Sequence, residues 1–271
     1  MQENNEQTLR NNSRLTLRIT QGSISFSVPD ASAENRMRYE SFAAKSGMSQ
    51  AARLREALRT GDLPSGEWKK ACVLLDTPVL LVPIETFAED SAATFYHYTM
   101  TDTDGQDVLT SVLPTLNAAA VFGINKDLRT VIEDHFEDTI YRPVCATVWE
   151  HLYRKSFTGN RQKLYAYFHE RRMDVFAFQQ KRFKFQNTFD AKRTADAVYF
   201  VMNVWKQLGY DPRRDELHVV GAQDDQDELQ GALQKYLANV FFVNPSGEFN
   251  GAPVTKIAGM PYDLVTFYAS R

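Results

Sequence analysis

The sequence predicts a mixed α/β protein built from two lobes that share one order of elements. Two observations carry this prediction. Alternating strand patterns joined by short turns occur twice, first near Leu15 and again near Leu164, and each set is followed by helical segments and short apolar strands. Antiparallel hairpins followed by strand–helix units give mixed sheets covered by helices. With 271 residues, 43% hydrophobic and 24% charged, the chain can bury a full core.

The first lobe is predicted to open with a hairpin. Residues 15–20 and 23–28 alternate apolar and polar side chains, and Gln21 and Gly22 supply the turn between them. Helices are placed where a capping residue precedes apolar residues at helical spacing, and buried strands where short runs are nearly all apolar. The later elements are a strand at residues 36–42, a helix at 50–59, strands at 71–75 and 79–82, a helix at 83–87, strands at 108–113 and 116–122, and helices at 126–136 and 143–155.

The second lobe is predicted to open with a three-stranded meander at residues 164–169, 173–178 and 181–185. An amphipathic helix follows at residues 191–208, capped by Asp190 and ended by Gly209. The remaining elements are a strand at 217–220, a helix at 225–240, a strand at 241–243 and a helix that begins at Pro261. We therefore expect a flexible tail at residues 1–14, a first lobe at 15–158 and a second lobe at 159–271, with a cleft between the lobes.

Composition and patterning exclude several function classes. The net charge of −3 gives no strong field for nucleic acid, so nucleic-acid binding is not expected. The polar N-terminal segment lacks the apolar core of a secretion signal. The most apolar run, residues 73–84, is too short for a membrane span and is broken by Asp76, Pro78 and Pro83. We expect a cytoplasmic protein with no membrane partner. Cys72 and Cys145 stand alone in sequence and are interpreted as reduced, buried thiols.

Local motifs indicate neither a metal site nor a catalytic centre. The five histidines form no HxxxH or HxH pair, and no GxSxG, Walker A or GxGxxG segment occurs. Residues 181–185 interleave basic and aromatic side chains, as single-strand nucleic-acid surfaces do, but a strand with Phe183 and Phe185 turned inward explains them better. A catalytic triad dispersed along the sequence stays open, because such sites assemble only in three dimensions.

Three segments, taken in their order along the chain, resemble a known family. They are VPIETF at residues 82–87, LHVVGA at 217–222 and NPSGEFNGAPVTKIAGMPYDL at 244–264. From about Leu15 to Tyr268 the chain resembles an uncharacterised bacterial family, a domain of unknown function, that is assigned to the actin-like ATPase fold. Actin, sugar kinases and chaperone ATPases share this ribonuclease-H-like fold. The resemblance implies two duplicated lobes, and the family brings no established activity.

The chain departs from the phosphate loops that the resemblance implies. ATP-using members hold an Asp and glycines in the first hairpin turn, where this chain has Thr20, Gln21 and Gly22. The second turn should also be rich in Asp and Gly, but it contains Arg171 and no glycine. The adenosine-binding element usually has paired glycines, and here Gly221 stands alone. These five residues are the candidate cleft-loop residues. Side chains at these turns would obstruct the close backbone approach that phosphate binding requires.

We therefore predict a catalytically inactive actin-like scaffold or protein-binding module, with a protein partner and no cofactor. The alternative is a nucleotide-binding ATPase or kinase with divergent loops, for which ATP and Mg²⁺ would be the cofactors. A weaker alternative is a nucleic-acid-associated protein that uses the strand at residues 181–184.

Overall fold

The computed structural model of the chain describes residues 14–170, 172–221 and 225–270. The predicted tail lies outside these ranges except for Arg14, and so does Arg171. The strands are β1 (Leu15–Ile19), β2 (Ser23–Pro29), β3 (Met37–Ala43), β4 (Lys70–Leu75), β5 (Val79–Pro83), β6 (Gln106–Leu113), β7 (Ala118–Asn125), β8 (Asp138–Pro143), β9 (Lys163–His169), β10 (Arg172–Gln179), β11 (Arg182–Asp190), β12 (Glu216–Gly221) and β13 (Val240–Phe242). The α-helices are α1 (Gln50–Thr60), α2 (Glu89–Thr99), α3 (Lys126–His135), α4 (Val144–Ser156), α5 (Thr194–Leu208), α6 (Gln226–Gln234), α7 (Pro245–Glu248) and α8 (Tyr262–Ala269).

The chain divides into two compact units, the first ending at Ala146 and the second beginning at Thr147. This division falls inside α4, whose first turn belongs to the first unit. The predicted lobe boundary at residue 158 follows the end of α4 and stays a prediction.

The first unit contains a five-stranded sheet with the order β3-β2-β1-β4-β8. The hairpin strands pair antiparallel, whereas β4 runs parallel to both β1 and β8. A second sheet, with the order β5-β7-β6, is antiparallel. Helix α2 packs on it through Ala92 and Tyr96, which contact Val121. The first unit therefore has a mixed sheet and a smaller antiparallel sheet.

The second unit repeats the five-stranded arrangement with the order β11-β10-β9-β12-β13. Here too a three-stranded antiparallel meander is followed by two parallel strands. One face packs against α5 and α6, with Val201 and Leu233 fully enclosed. On the other face Trp149 of α4 lies edge-on to Phe176 and Phe183, at centroid distances of 6.4 and 5.4 Å. The predicted α/β class with a duplicated strand plan is confirmed.

Two predicted helices begin or end elsewhere because strands compete for their residues. Asp190 was predicted to cap the helix at residues 191–208, but it pairs with Arg172 at the end of β11, so α5 begins only at Thr194. The helix predicted at residues 225–240 ends at Gln234, and Val240 instead pairs with Leu217 in β13.

The helix predicted at residues 83–87 is wrong. Pro83 completes β5, where it pairs with Ala118, and only a single 3₁₀ turn follows, at Ile84–Thr86. The real helix is α2, which the sequence pattern missed because only Ala92 and Tyr96 of its residues are buried. Strand β8 was also missed, since its exposed and half-buried residues form no apolar run.

Candidate functional site

The β1–β2 turn carries three of the candidate residues, Thr20, Gln21 and Gly22. Thr20 is buried, whereas Gln21 and Gly22 are exposed at the tip. The Ser23 amide donates to the Thr20 hydroxyl oxygen at 3.0 Å, and the Thr20 amide donates to the Ser23 carbonyl at 2.9 Å. A phosphate cradle needs backbone N–H groups that point at the ligand. The Ser23 N–H group instead points at a side chain of the turn itself.

Helix α1 holds the carbonyl side of the same turn. Arg53 donates from Nη1 to the Gln21 carbonyl at 2.9 Å and from Nη2 to the Thr20 carbonyl at 3.4 Å. Gln50 adds a bond from Nε2 to the Thr20 carbonyl at 3.2 Å. Ser49 places these side chains, because its hydroxyl accepts from the Ala52 amide and so starts the helix beside the turn. The turn is therefore fixed by its own sequence and by α1.

A small pocket lies beside α1, lined by Arg53, Lys45 and Glu56 among others. Lys45 and Glu56 are already paired across it, at 2.6 Å. Its volume of about 50 Å³ compares with about 300–1,000 Å³ for small-molecule sites. The pocket has room for a few water molecules and none for a nucleotide.

In the second unit, Gly221 lies at the carboxyl end of β12 and pairs with Phe168 of β9. Its φ is +88°, and a Cβ atom at this position would stand 2.0 Å from the Phe168 carbonyl oxygen. Only glycine tolerates this combination of conformation and contact. The close packing of β12 on β9 therefore requires Gly221, whether or not a ligand binds nearby.

Buried polar side chains lie under the β9–β10 turn, and the sequence analysis did not single them out. Asp174 is 1% exposed, accepts from the Thr188 hydroxyl at 2.6 Å and lies 3.4 Å from Nε2 of His169. Tyr167 stacks on His169 and donates to Asp263 at 2.7 Å. The sequence feature that could have revealed this cluster is the carboxylate of Asp174 inside an otherwise apolar strand. A buried carboxylate must be hydrogen-bonded to be tolerated.

A second polar cluster surrounds Glu248, whose side chain is 5% exposed. Its Oε1 lies 2.8 Å from Nε2 of His151 and 2.6 Å from Nζ of Lys155, and its Oε2 accepts from the Tyr262 hydroxyl at 2.7 Å. Burial alone would raise the pKa of Glu248, but these three hydrogen bonds outweigh burial and lower it to about 2. Burial and the nearby carboxylate raise the pKa of Tyr262. Glu248 is therefore an ionised carboxylate at neutral pH.

The structure thus brings Thr20, Gln21 and Gly22 together and places Gly221 in the second unit, while Arg171 lies outside the described residues. Within residues 14–170, 172–221 and 225–270, no group of three or more His, Cys, Asp or Glu side chains could hold a metal ion. Over the same ranges, no helix combines the length and apolar character that a bilayer crossing needs.

The duplicated mixed sheets define the class as the actin-like ATPase fold. The chain belongs to the family of proteins of unknown function DUF3822, whose model matches residues 2–240. It is similar to a Bacteroides thetaiotaomicron protein with an actin-like ATPase fold and unknown function, at 23% identity and a TM-score of 0.80 over 92% of this chain and 98% of that one.

Two more distant structures are also similar to the chain. The PilM–PilN type IV pilus biogenesis complex contains a chain that is 10% identical, with a TM-score of 0.55 over 96% of this chain and 98% of that one. The ethanolamine utilization protein EutJ from Carboxydothermus hydrogenoformans is 10% identical, with a TM-score of 0.46 over 94% and 89%. No curated protein is significantly similar to this chain.

Proposed function

We propose that the protein is an actin-like module that does not turn over ATP and that binds a protein partner. It works in the cytoplasm as a scaffold, and its actin-like site uses neither a nucleotide nor Mg²⁺. The observation that carries this proposal is the closed β1–β2 turn. The Ser23 amide donates to the Thr20 hydroxyl, and Arg53 donates to the Gln21 carbonyl. These polar groups of the turn therefore have hydrogen-bond partners within the protein and need no phosphate.

The end of β12 supports the same proposal from different chemistry. The one glycine at the end of β12, Gly221, has a packing role against Phe168, so its presence does not favour a nucleotide. A protein partner is supported by analogy of fold. A structure that shares this fold, at a TM-score of 0.55, is a PilM–PilN complex of type IV pilus biogenesis. That analogy supports a partner that is a protein, and it does not identify which protein.

The experiment measures thermal unfolding and ATP hydrolysis of the purified chain with Mg²⁺-ATP, Mg²⁺-ADP and Mg²⁺-GTP. A nucleotide at about 100 times its Kd would stabilise the fold by about 2.7 kcal/mol, which raises Tm by roughly 5 °C or more for a chain of this size. We expect no rise in Tm and no hydrolysis.

The opposite result supports the divergent ATPase or kinase. It would be a rise in Tm together with turnover that Gly22→Val abolishes and Gly231→Ala leaves intact. Gly231 is a suitable control because a Cβ atom there meets open space. The binding half of the proposal is tested with a tagged chain in its native host. We expect a stoichiometric protein partner whose recovery is unchanged when apyrase removes ATP.

A further inference from the structure

Three side chains from separate elements form a hydrogen-bonded row in the second unit. His151 lies on α4, Glu248 ends α7, and Ser270 follows α8. The Ser270 hydroxyl lies 2.9 Å from Nδ1 of His151, and Nε2 of the same ring lies 2.8 Å from Oε1 of Glu248. A hydroxyl, an imidazole and a carboxylate in this order form the arrangement that activates serine nucleophiles.

The charge of Glu248 sets the roles of the two ring nitrogens. An ionised carboxylate can only accept, so Nε2 of His151 donates its proton to Glu248. In the ring form that acts as a base, Nδ1 then carries the lone pair that faces Ser270. Lys155 and Tyr262 hold the carboxylate oxygens from α4 and α8. The Phe249 ring lies 4.6 Å from the imidazole and covers it. The base is therefore oriented before any substrate arrives.

We propose that Ser270 is a nucleophile, activated by His151, that accepts acyl groups from carboxylic esters. The Ser270 Oγ forms a bond to the ester carbonyl carbon while its proton passes to Nδ1 of His151. The alkoxy group then leaves and takes that proton as the alcohol, so Ser270 is left as an acyl ester. Water attacks this ester by the same route, its proton returning through Nδ1, and releases the carboxylic acid and free Ser270.

The surroundings of Ser270 suit this chemistry. Ser270 is half-buried and therefore reaches solvent on one side, whereas His151 is only 8% exposed. Arg154 is exposed, and its Nη1 donates to the main-chain carbonyl of Ser270 at 3.3 Å, so this hydrogen bond helps to hold the residue that carries the nucleophile. The ring nitrogens are exchanged relative to the usual serine hydrolase, but each still makes the bond that its role requires.

The site consists of second-unit residues only, and its test does not depend on the partner proposed above. The full chain is treated with a fluorophosphonate probe, and the modified residue is located by peptide mass spectrometry. Ordinary serines do not react, so a covalent adduct on Ser270 is the expected result. An absence of adduct on Ser270 in the wild-type chain would overturn the proposal without any variant.

Variants separate an activated serine from a structural tie between α8 and α4. Ser270→Ala should abolish labelling, and His151→Gln, which removes the base, should slow it at least tenfold. Ser246→Ala is the matched control, because Ser246 is an exposed serine on α7 and should leave labelling unchanged. Hydrolysis of p-nitrophenyl acetate should follow the same order. Labelling of His151→Gln at the wild-type rate would refute the role of the base. Should that variant not fold, Glu248→Gln serves instead, with the same expected loss.

Discussion

Replacement of Gly221 by alanine should destabilise the second unit well beyond the usual cost of losing a left-handed glycine. Two terms add. An alanine at a φ of +88° costs about 1–2 kcal/mol of backbone strain. Its Cβ would also stand 2.0 Å from the Phe168 carbonyl oxygen, so strands β9 and β12 must separate by about 1 Å. Overpacking of this kind costs about 1–3 kcal/mol more.

Gly209 provides the matched comparison. It ends α5 with a φ of +69°, yet a Cβ atom there meets nothing within 4 Å. Gly209→Ala should therefore lower the free energy of unfolding only by the backbone strain, about 1–2 kcal/mol. We expect Gly221→Ala to unfold at a lower urea concentration and to melt roughly 4–8 °C below Gly209→Ala, which corresponds to about 2 kcal/mol. If the two variants melt within about 2 °C of each other, the close contact with Phe168 carries no energy and the packing role of Gly221 is refuted.

Three further expectations follow from buried contacts. Glu248 has a folded pKa of about 2 against an ordinary 4.5, so it stabilises the fold above pH 4.5 and loses this contribution as the pH falls towards 2. Glu248→Gln should therefore cost about 3 kcal/mol at pH 7, and its urea midpoint should approach that of the wild type as the pH falls to 2. A constant difference across this range would contradict the assignment. Arg53→Ala should cost about 1–2 kcal/mol by urea denaturation, because it removes the side-chain hydrogen bonds from Arg53 to the Gln21 and Thr20 carbonyls. Arg55→Ala, on the exposed side of α1, should stay within about 0.5 kcal/mol. Trp149→Ala should cost about 3–5 kcal/mol, since the indole is fully enclosed between Phe176 and Phe183, and a loss below about 1 kcal/mol would show that α4 repacks without it.

Elements held together by residues close in sequence were predictable. The β1–β2 hairpin and the β9–β11 meander follow from alternation and from the turns between the strands. Helix α3 follows from Leu128, Val131 and Ile132, which form one buried stripe. In each case the chain bonds to its neighbours along the sequence, so local pattern and final structure agree.

Features that depend on distant partners were not predictable. Strand β8 exists because β4 pairs with it along six positions, although its own residues are mostly polar or exposed. The Glu248 cluster joins His151 and Glu248, which are 97 residues apart. Ser270 meets His151 over a separation of 119 residues. Neither pairing has a local signature, and this is why a dispersed triad could only be left open from the sequence.

The candidate cleft residues show that a glycine after a strand has two different structural explanations. A glycine after a strand was interpreted as a remnant of an adenosine-binding loop, because nucleotide sites need close backbone approach. At Gly221 the approaching group is the protein's own Phe168 carbonyl. The same physical requirement is therefore met inside the sheet, and the glycine would be needed with or without a nucleotide. At the β1–β2 turn the logic is the reverse. The Thr20 hydroxyl accepts from the Ser23 amide, which a phosphate loop would leave open, and Arg53 donates to the Thr20 carbonyl on the other side of the turn. Both observations weigh against a phosphate at these two positions, so a rise in Tm with Mg²⁺-ATP that Gly22→Val abolishes would contradict this interpretation of the β1–β2 turn.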